Sequence, residues 1–243
     1  MRNSKSLLKM ITLSMLIALG VVISPILRVE GMCPMAHFIN IVCSVFMGPW
    51  YSLLCATLIG IIRMITMGIP PIALTGAIFG AFLSGVFYRA SKGRIIFAVL
   101  GEIIGTGIIG AIMSYPVMTF LWGKEGLSWL FYVPSFICGT LIGGSIAYVF
   151  LRKFAANGML ARIQTMLGSQ SYLDHTSILS NTLTIAACGA ILFVVIELAS
   201  DIFKLTGALW DKLSYVSLIL CAAAAILYYI TKKVKTPHAP GNP

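Results

Sequence analysis

The chain is short of charge. Only 10% of its 243 residues are Asp, Glu, Lys or Arg, whereas a soluble domain of this size carries about a quarter. With 59% hydrophobic residues and a mean hydropathy of +0.98, it has too little polar surface to stay dissolved. That excludes a water-soluble globular domain and leaves an integral membrane protein. Acids are the scarcest charges, 7 Asp and Glu against 17 Lys and Arg, and no acid cluster is dense enough to hold a metal for phosphoryl or lipid chemistry.

Other absences narrow the reading further. The chain has no Gly-x-x-x-x-Gly-Lys-Ser/Thr loop, so it does not itself bind ATP through a P-loop. Neither His-Glu-x-x-His nor Gly-x-Ser-x-Gly occurs, which argues against a membrane enzyme, and no cofactor is implied. None of the six cysteines forms a Cys-x-x-Cys pair, so neither a zinc site nor a disulfide framework is expected. Five of them lie inside apolar runs and read as small buried hydrophobes; Cys33 falls in an expected outer loop. The net charge of +10 does not point to nucleic acid, because Lys and Arg gather in short clusters between apolar runs rather than along a basic groove.

What is present is a series of apolar runs, at 7–27, 36–48, 50–67, 71–88, 94–118, 129–151, 178–200 and 213–231. A helix needs about 20 apolar residues to cross a hydrocarbon core. The runs are continuously apolar rather than alternating, so helices are expected and a barrel is not. The expected fold is an all-α polytopic membrane bundle, with six spans in residues 1–153, a connector at 154–177, a two-helix hairpin at 178–231 and a disordered tail at 232–243. Gly48-Pro49 and Pro70-Pro71 mark the breaks around the third run. The second run is too short to span comfortably and belongs inside the bundle or beside a cavity. The N-terminal "MRNSKSLLKMITLSMLIALGVVISPIL" resembles a signal peptide, but no small-x-small cleavage site follows it, so it reads as a retained first helix.

Charge bias orients the spans. With the N-terminus inside, twelve cationic residues are cytoplasmic: Arg2, Lys5, Lys9, Arg89, Lys92, Arg94, Arg152, Lys153, Arg162, Lys232, Lys233 and Lys235. Five remain: Arg28, Lys124, Lys204 and Lys212 outside, and Arg63 within the third run near its outer end. This agrees with the positive-inside rule for eight spans in the cell membrane with both termini cytoplasmic.

Polar residues inside spans are costly, at least about 2.5 kcal/mol for a central charge, and so are candidates for function. Glu102 lies in "GEIIGTGIIGAIMSYP", with Thr106 one turn on and glycines that allow close approach. It can bind a polar ligand, pair with Arg63 or snorkel to the cytoplasmic surface. Arg63 can neutralise Glu102 or close the cavity from outside, pairing being the reading preferred. His37, Asn40 and Ser44 share one helical face, which suits either a ligand or interhelical hydrogen bonds. No second His or Cys stands at ligand spacing there, so no metal is expected. Tyr115 and Trp122, near Trp129 and Tyr132, can stack on a planar ring or simply form an interfacial aromatic belt. Ser14 and Ala18 form a small-xxx-small face on the first helix, suited to close contact with a partner helix.

The stretch "CPMAHFINIVCSVFMGPWYSLLCATLIGIIRMITMG", with "GAIFGAFLSGVFYR" and "GEIIGTGIIGAIMSYPV", resembles the ThiW family. Over residues 7–153 the spans resemble the substrate-binding S components of energy-coupling factor (ECF) vitamin transporters. The resemblance implies uptake of a thiamine precursor, hydroxyethylthiazole, by a chain that docks on a transmembrane T component driven by two ATPase subunits. It also implies that Ser14 and Ala18 meet the T component, where the family more usually has alanine at both, and that residues 28–35 gate the site. His37, Asn40, Glu102, Thr106, Tyr115 and Trp122, the expected substrate contacts, rest on this sequence's own pattern. The final hairpin departs from the six-span S component. The competing expectation is a stand-alone ion-coupled secondary transporter of a small heterocycle, with Glu102 as the proton site; inverted repeats would favour it, and none is evident.

Overall fold

The computed structural model describes residues 2–26, 33–172, 178–203 and 208–235. Among them every regular element is helical. They form two compact units, Met1–Asp174 and His175–Pro243. The first holds α1 (Arg2–Ile26), α2 (Pro34–Met47), α3 (Pro49–Met67), α4 (Ile72–Ala90), α5 (Ile95–Leu121), α6 (Val133–Ala156) and α7 (Met159–Met166). The second holds α8 (Ile178–Phe203) and α9 (Ala208–Lys235). Six helices are long and apolar enough to cross a membrane: α1, α3, α4, α5, α6 and, over Tyr215–Lys232, α9. Large apolar side chains such as Leu7, Met15, Val22, Ile65 and Ile219 point outward, as helices solvated by lipid allow.

Turn chemistry sets the breaks. Gly48 joins α2 to α3 at φ +94°, a conformation that favours glycine, and Pro49 begins the next helix where its missing N–H costs nothing. Gly68 closes α3 in the left-handed conformation, and Pro70-Pro71 precede α4. The second run is indeed short. At 14 residues α2 is about 21 Å long, and 12 of those residues are buried among α1, α3, α4, α5 and α6. Buried on nearly every side, it carries its few polar side chains, His37, Asn40 and Ser44, inward to partners in neighbouring helices.

Residues 154–172 of the expected connector belong to the first unit, and α7 packs against the end of α2: Leu160, Gln164 and Leu167 are buried. Gln164 Nε2 donates to the Val45 carbonyl at 2.8 Å and to Tyr88 Oη at 3.0 Å, and Ser169 Oγ donates to the Phe46 carbonyl at 2.6 Å. These contacts satisfy carbonyls that the end of α2 leaves without intrahelical partners. Two other expectations change. Only Cys43 and Cys55 are buried, while Cys138 and Cys188 sit on outer helix faces, where a small thiol is as much at home against lipid as in a core. Residues 232–235, assigned to the tail, continue α9, because nothing in "TKKVK" breaks a helix. Most of the expected gate (28–32), Lys204 and the rest of the tail (236–243) lie outside the described residues, as does the side chain of Glu197.

In the second unit α8 and α9 pair closely, and Gly189 lets Cys221 lie directly against the α8 backbone.

Candidate binding site

The site begins with two helices that touch backbone to backbone. α4 carries Gly76, Gly80 and Ser84 at four-residue spacing, and α5 sets Gly101, Gly105 and Gly110 against them. A Cβ on Gly105 would lie 2.5 Å from Gly80 Cα and 2.6 Å from the Phe79 carbonyl oxygen, so only glycine permits this separation. Glu102 is the last residue of the α-helical start of α5. From Ile103 to Gly110 the same helix is wound with the wider i→i+5 turns of a π-helix, and again from Val117 to Leu121. Such wide turns gather at functional sites.

On this seam Glu102 is fully buried, and its Oε1 collects donors from two helices. Asn40 Nδ2 lies at 3.0 Å, Thr106 Oγ1 at 3.1 Å and His37 Nδ1 at 2.9 Å. Oε2 has no hydrogen-bond partner and faces Gly80, where any side chain would collide with it and with Thr106 Oγ1. His37 and Asn40 come from α2, one turn apart on the face turned toward α4 and α5. Gly143 of α6 makes room for them, since a Cβ there would strike the Pro34 carbonyl and lie 2.9 Å from His37 Cβ. With Nδ1 bound to Glu102, Nε2 is the imidazole nitrogen left to serve the adjoining space.

That space is a cavity of about 70 Å³, lined by Cys33, Ala36, His37, Arg63, Ile69, Ile72, Ala73, Gly76, Ala77, Thr106, Ser135 and Phe136. One water requires about 10–15 Å³ on this measure, so there is room for several waters or for one small ring compound. The walls are mostly apolar, with a few polar groups at defined places, the usual make-up of a small-molecule site.

The six expected contact residues divide. His37 and Thr106 line the cavity. Asn40 and Glu102 stand behind them, joined to them by hydrogen bonds. Tyr115 and Trp122 are elsewhere: the Tyr115 ring packs on Trp129 with centroids 4.5 Å apart, and Trp122 is 52% exposed. The cavity's aromatic wall is instead Phe136, in the first turn of α6. Its sequence signal, an aromatic just inside "YVPSF", was easily lost among the neighbouring interfacial aromatics.

Arg63 also departs from expectation. It forms no ion pair with Glu102; among the described residues the carboxylate's charged-type contact is with His37. Arg63 is 4% exposed, its Nη2 donates to Cys33 Sγ at 3.5 Å, and its Nε has no partner. Arg63 enters the cavity wall from α3, where its guanidinium meets Cys33 rather than Glu102.

With this geometry in place, comparison with known families is decisive. The family model for thiamine-precursor transporter proteins, ThiW, matches residues 10–157. The chain belongs to the ThiW family. That match spans α1 to α6 and so includes every wall of the cavity, while α7 and the α8–α9 pair lie beyond it. ThiW is a transporter family, which makes the chain a multi-pass membrane transporter protein with a small-molecule substrate and not an enzyme. No individual curated protein and no solved structure matches the chain significantly.

Proposed function

We propose that this ThiW protein is the substrate-binding membrane subunit of an ECF-type importer, and that the thiamine precursor it binds is an azole alcohol of the hydroxyethylthiazole type. The observation that carries the reading is the meeting of His37, Asn40, Glu102 and Thr106 at one wall of a largely apolar cavity in a thiamine-precursor transporter chain. The planar ring lies against Phe136 and the aliphatic wall, where apolar burial and ring contact favour it. His37 and Thr106 meet its polar atoms. Glu102 and Asn40 fix the orientation of those two side chains, so they act as positioning residues.

Transport then requires a motor, because the chain has no P-loop of its own. In this proposal a T component with two ATPase subunits supplies it, and docks on the outward face of α1 that carries Ser14 and Ala18, both exposed. Both termini are cytoplasmic, in keeping with the distribution of Lys and Arg. The decisive experiment is to purify the full chain from cells and identify the co-retained small molecule by mass spectrometry. An azole alcohol is expected; a compound with no such ring would overturn the substrate assignment. Uptake in cells is expected to stop without the ATPases and to continue after the proton gradient is collapsed.

A second reading has one observation in its favour. The buried, unpartnered Glu102 Oε2 suits a carboxyl group that takes up and releases a proton, as in a stand-alone ion-coupled transporter. The same uptake assay separates the two, since that transporter would fail on loss of the gradient and ignore loss of the ATPases.

A further inference from the structure

The cavity has a second polar wall, opposite in character to the Glu102 cluster. Arg63 brings a permanent cation into it, almost wholly buried and without a carboxylate partner among the described residues. Its Nε is unpartnered and its one polar contact is a weak acceptor, the Cys33 sulfur. A charge buried this way is costly unless something completes it.

The surrounding backbone has the same sign. The first turns of α2, α4 and α6 all border the cavity, through Ala36, Ile72 and Ser135 respectively. None of the three helix starts has a side-chain cap. The first-turn N–H groups of Ala36, Ala73 and Val133 already bond to turn carbonyls, so what the three starts contribute is the positive end of each helix dipole, which adds to the field of the guanidinium. Glu102 forms no ion pair with the guanidinium: it is fully buried behind His37 and Thr106, with Oε1 in contact with three side chains.

We infer that Arg63 and the three helix starts form an anion subsite, so that the cavity takes azoles whose side arm ends in a phosphate or carboxylate, and prefers them to the neutral alcohol. The inference rests on the azole-binding reading above and makes it more specific. The guanidinium fork matches two oxygens of such a group at once, while the ring occupies the end of the cavity at His37 and Phe136. Arg63 is thus the residue that sets specificity for the arm, as His37 is for the ring.

Isothermal titration of the full purified chain with 4-methyl-5-(2-hydroxyethyl)thiazole and with its phosphate monoester tests this directly. The monoester is expected to bind about tenfold tighter or better than the alcohol, with the preference shrinking as salt is raised. Arg63→Gln should abolish the preference for the monoester over the alcohol, and Arg63→Lys, which keeps the charge but not the fork, should retain only part of it. Equal or weaker binding of the monoester by the wild-type chain overturns the inference, whether or not the variants fold, as does a preference that survives in folded Arg63→Gln. If the alcohol binds and the monoester gains nothing, only the anion subsite fails. If neither binds, the azole-binding reading fails with it.

Discussion

His37 Nδ1 lies 2.9 Å from Glu102 Oε1, joining α2 to α5 across 65 positions of sequence. With Nδ1 engaged by the acid, Nε2 is the imidazole nitrogen left for the cavity that His37 lines. In the proposed binding mode the buried acid acts as a positioning group, setting which nitrogen of the imidazole the ligand meets.

Replacing Glu102 by Gln keeps the shape of the cluster and removes its charge. Affinity for the azole alcohol is expected to fall by about tenfold or more, the scale of one hydrogen bond to a charged group. The melting midpoint in detergent should change little, since an amide oxygen can still accept from Asn40 and Thr106. Titration calorimetry beside a thermal melt checks both, and unchanged affinity would remove Glu102 from the site.

Gly105→Ala should be far more harmful than Gly107→Ala two residues away. At Gly105 the added methyl meets the Gly80 backbone, which cannot yield without parting α4 from α5. At Gly107 the nearest atom is Ile137 Cγ1 at 3.0 Å, the tip of a side chain that can turn aside. Overpacking of the first kind costs about 1–3 kcal/mol, against a gain of up to about 1 kcal/mol in helix propensity at either position. Comparative thermal melts of the two variants decide it.

Ala18→Phe should abolish uptake while ligand binding by the purified chain survives. Ala18 is exposed on α1, on the face away from the buried Leu13, Leu16 and Gly20, and the cavity is built without α1. A bulky ring there obstructs a close helix contact without reaching the site. Parallel uptake and binding assays test this; loss of binding as well would point to misfolding.

Gln164→Leu should lower the melting midpoint through a loss of about 1–3 kcal/mol. It fills the same buried space but strips the Val45 carbonyl and Tyr88 of their shared donor. A normal melt would show that α7 adds nothing to the end of α2.

The spans were legible because lipid imposes one rule on every residue within it, and continuous apolar runs interrupted by Gly-Pro and Pro-Pro obey that rule in plain sight. The polar face of α2 was legible for the same reason, since His37 and Asn40 one turn apart must turn from lipid. Whether an aromatic belongs to the interfacial belt or to a cavity wall was not legible, because both have the same composition: Tyr115 packs on Trp129, while Phe136 lines the cavity. The docking of α7 was hidden too: a mildly amphipathic segment does not say which carbonyls its Gln164 will reach.

By itself, the sequence determined that this chain lives in a membrane, where its helices begin and end, and which few polar side chains had to find company inside. Those are local matters, set by the free energy of placing each residue in hydrocarbon. Only the tertiary structure decided that Glu102 gathers His37, Asn40 and Thr106 while Arg63 enters the cavity wall without pairing with it. That choice depends on how closely α4 and α5 approach, which two facing rows of glycine set, and on the contacts between chain segments far apart in sequence.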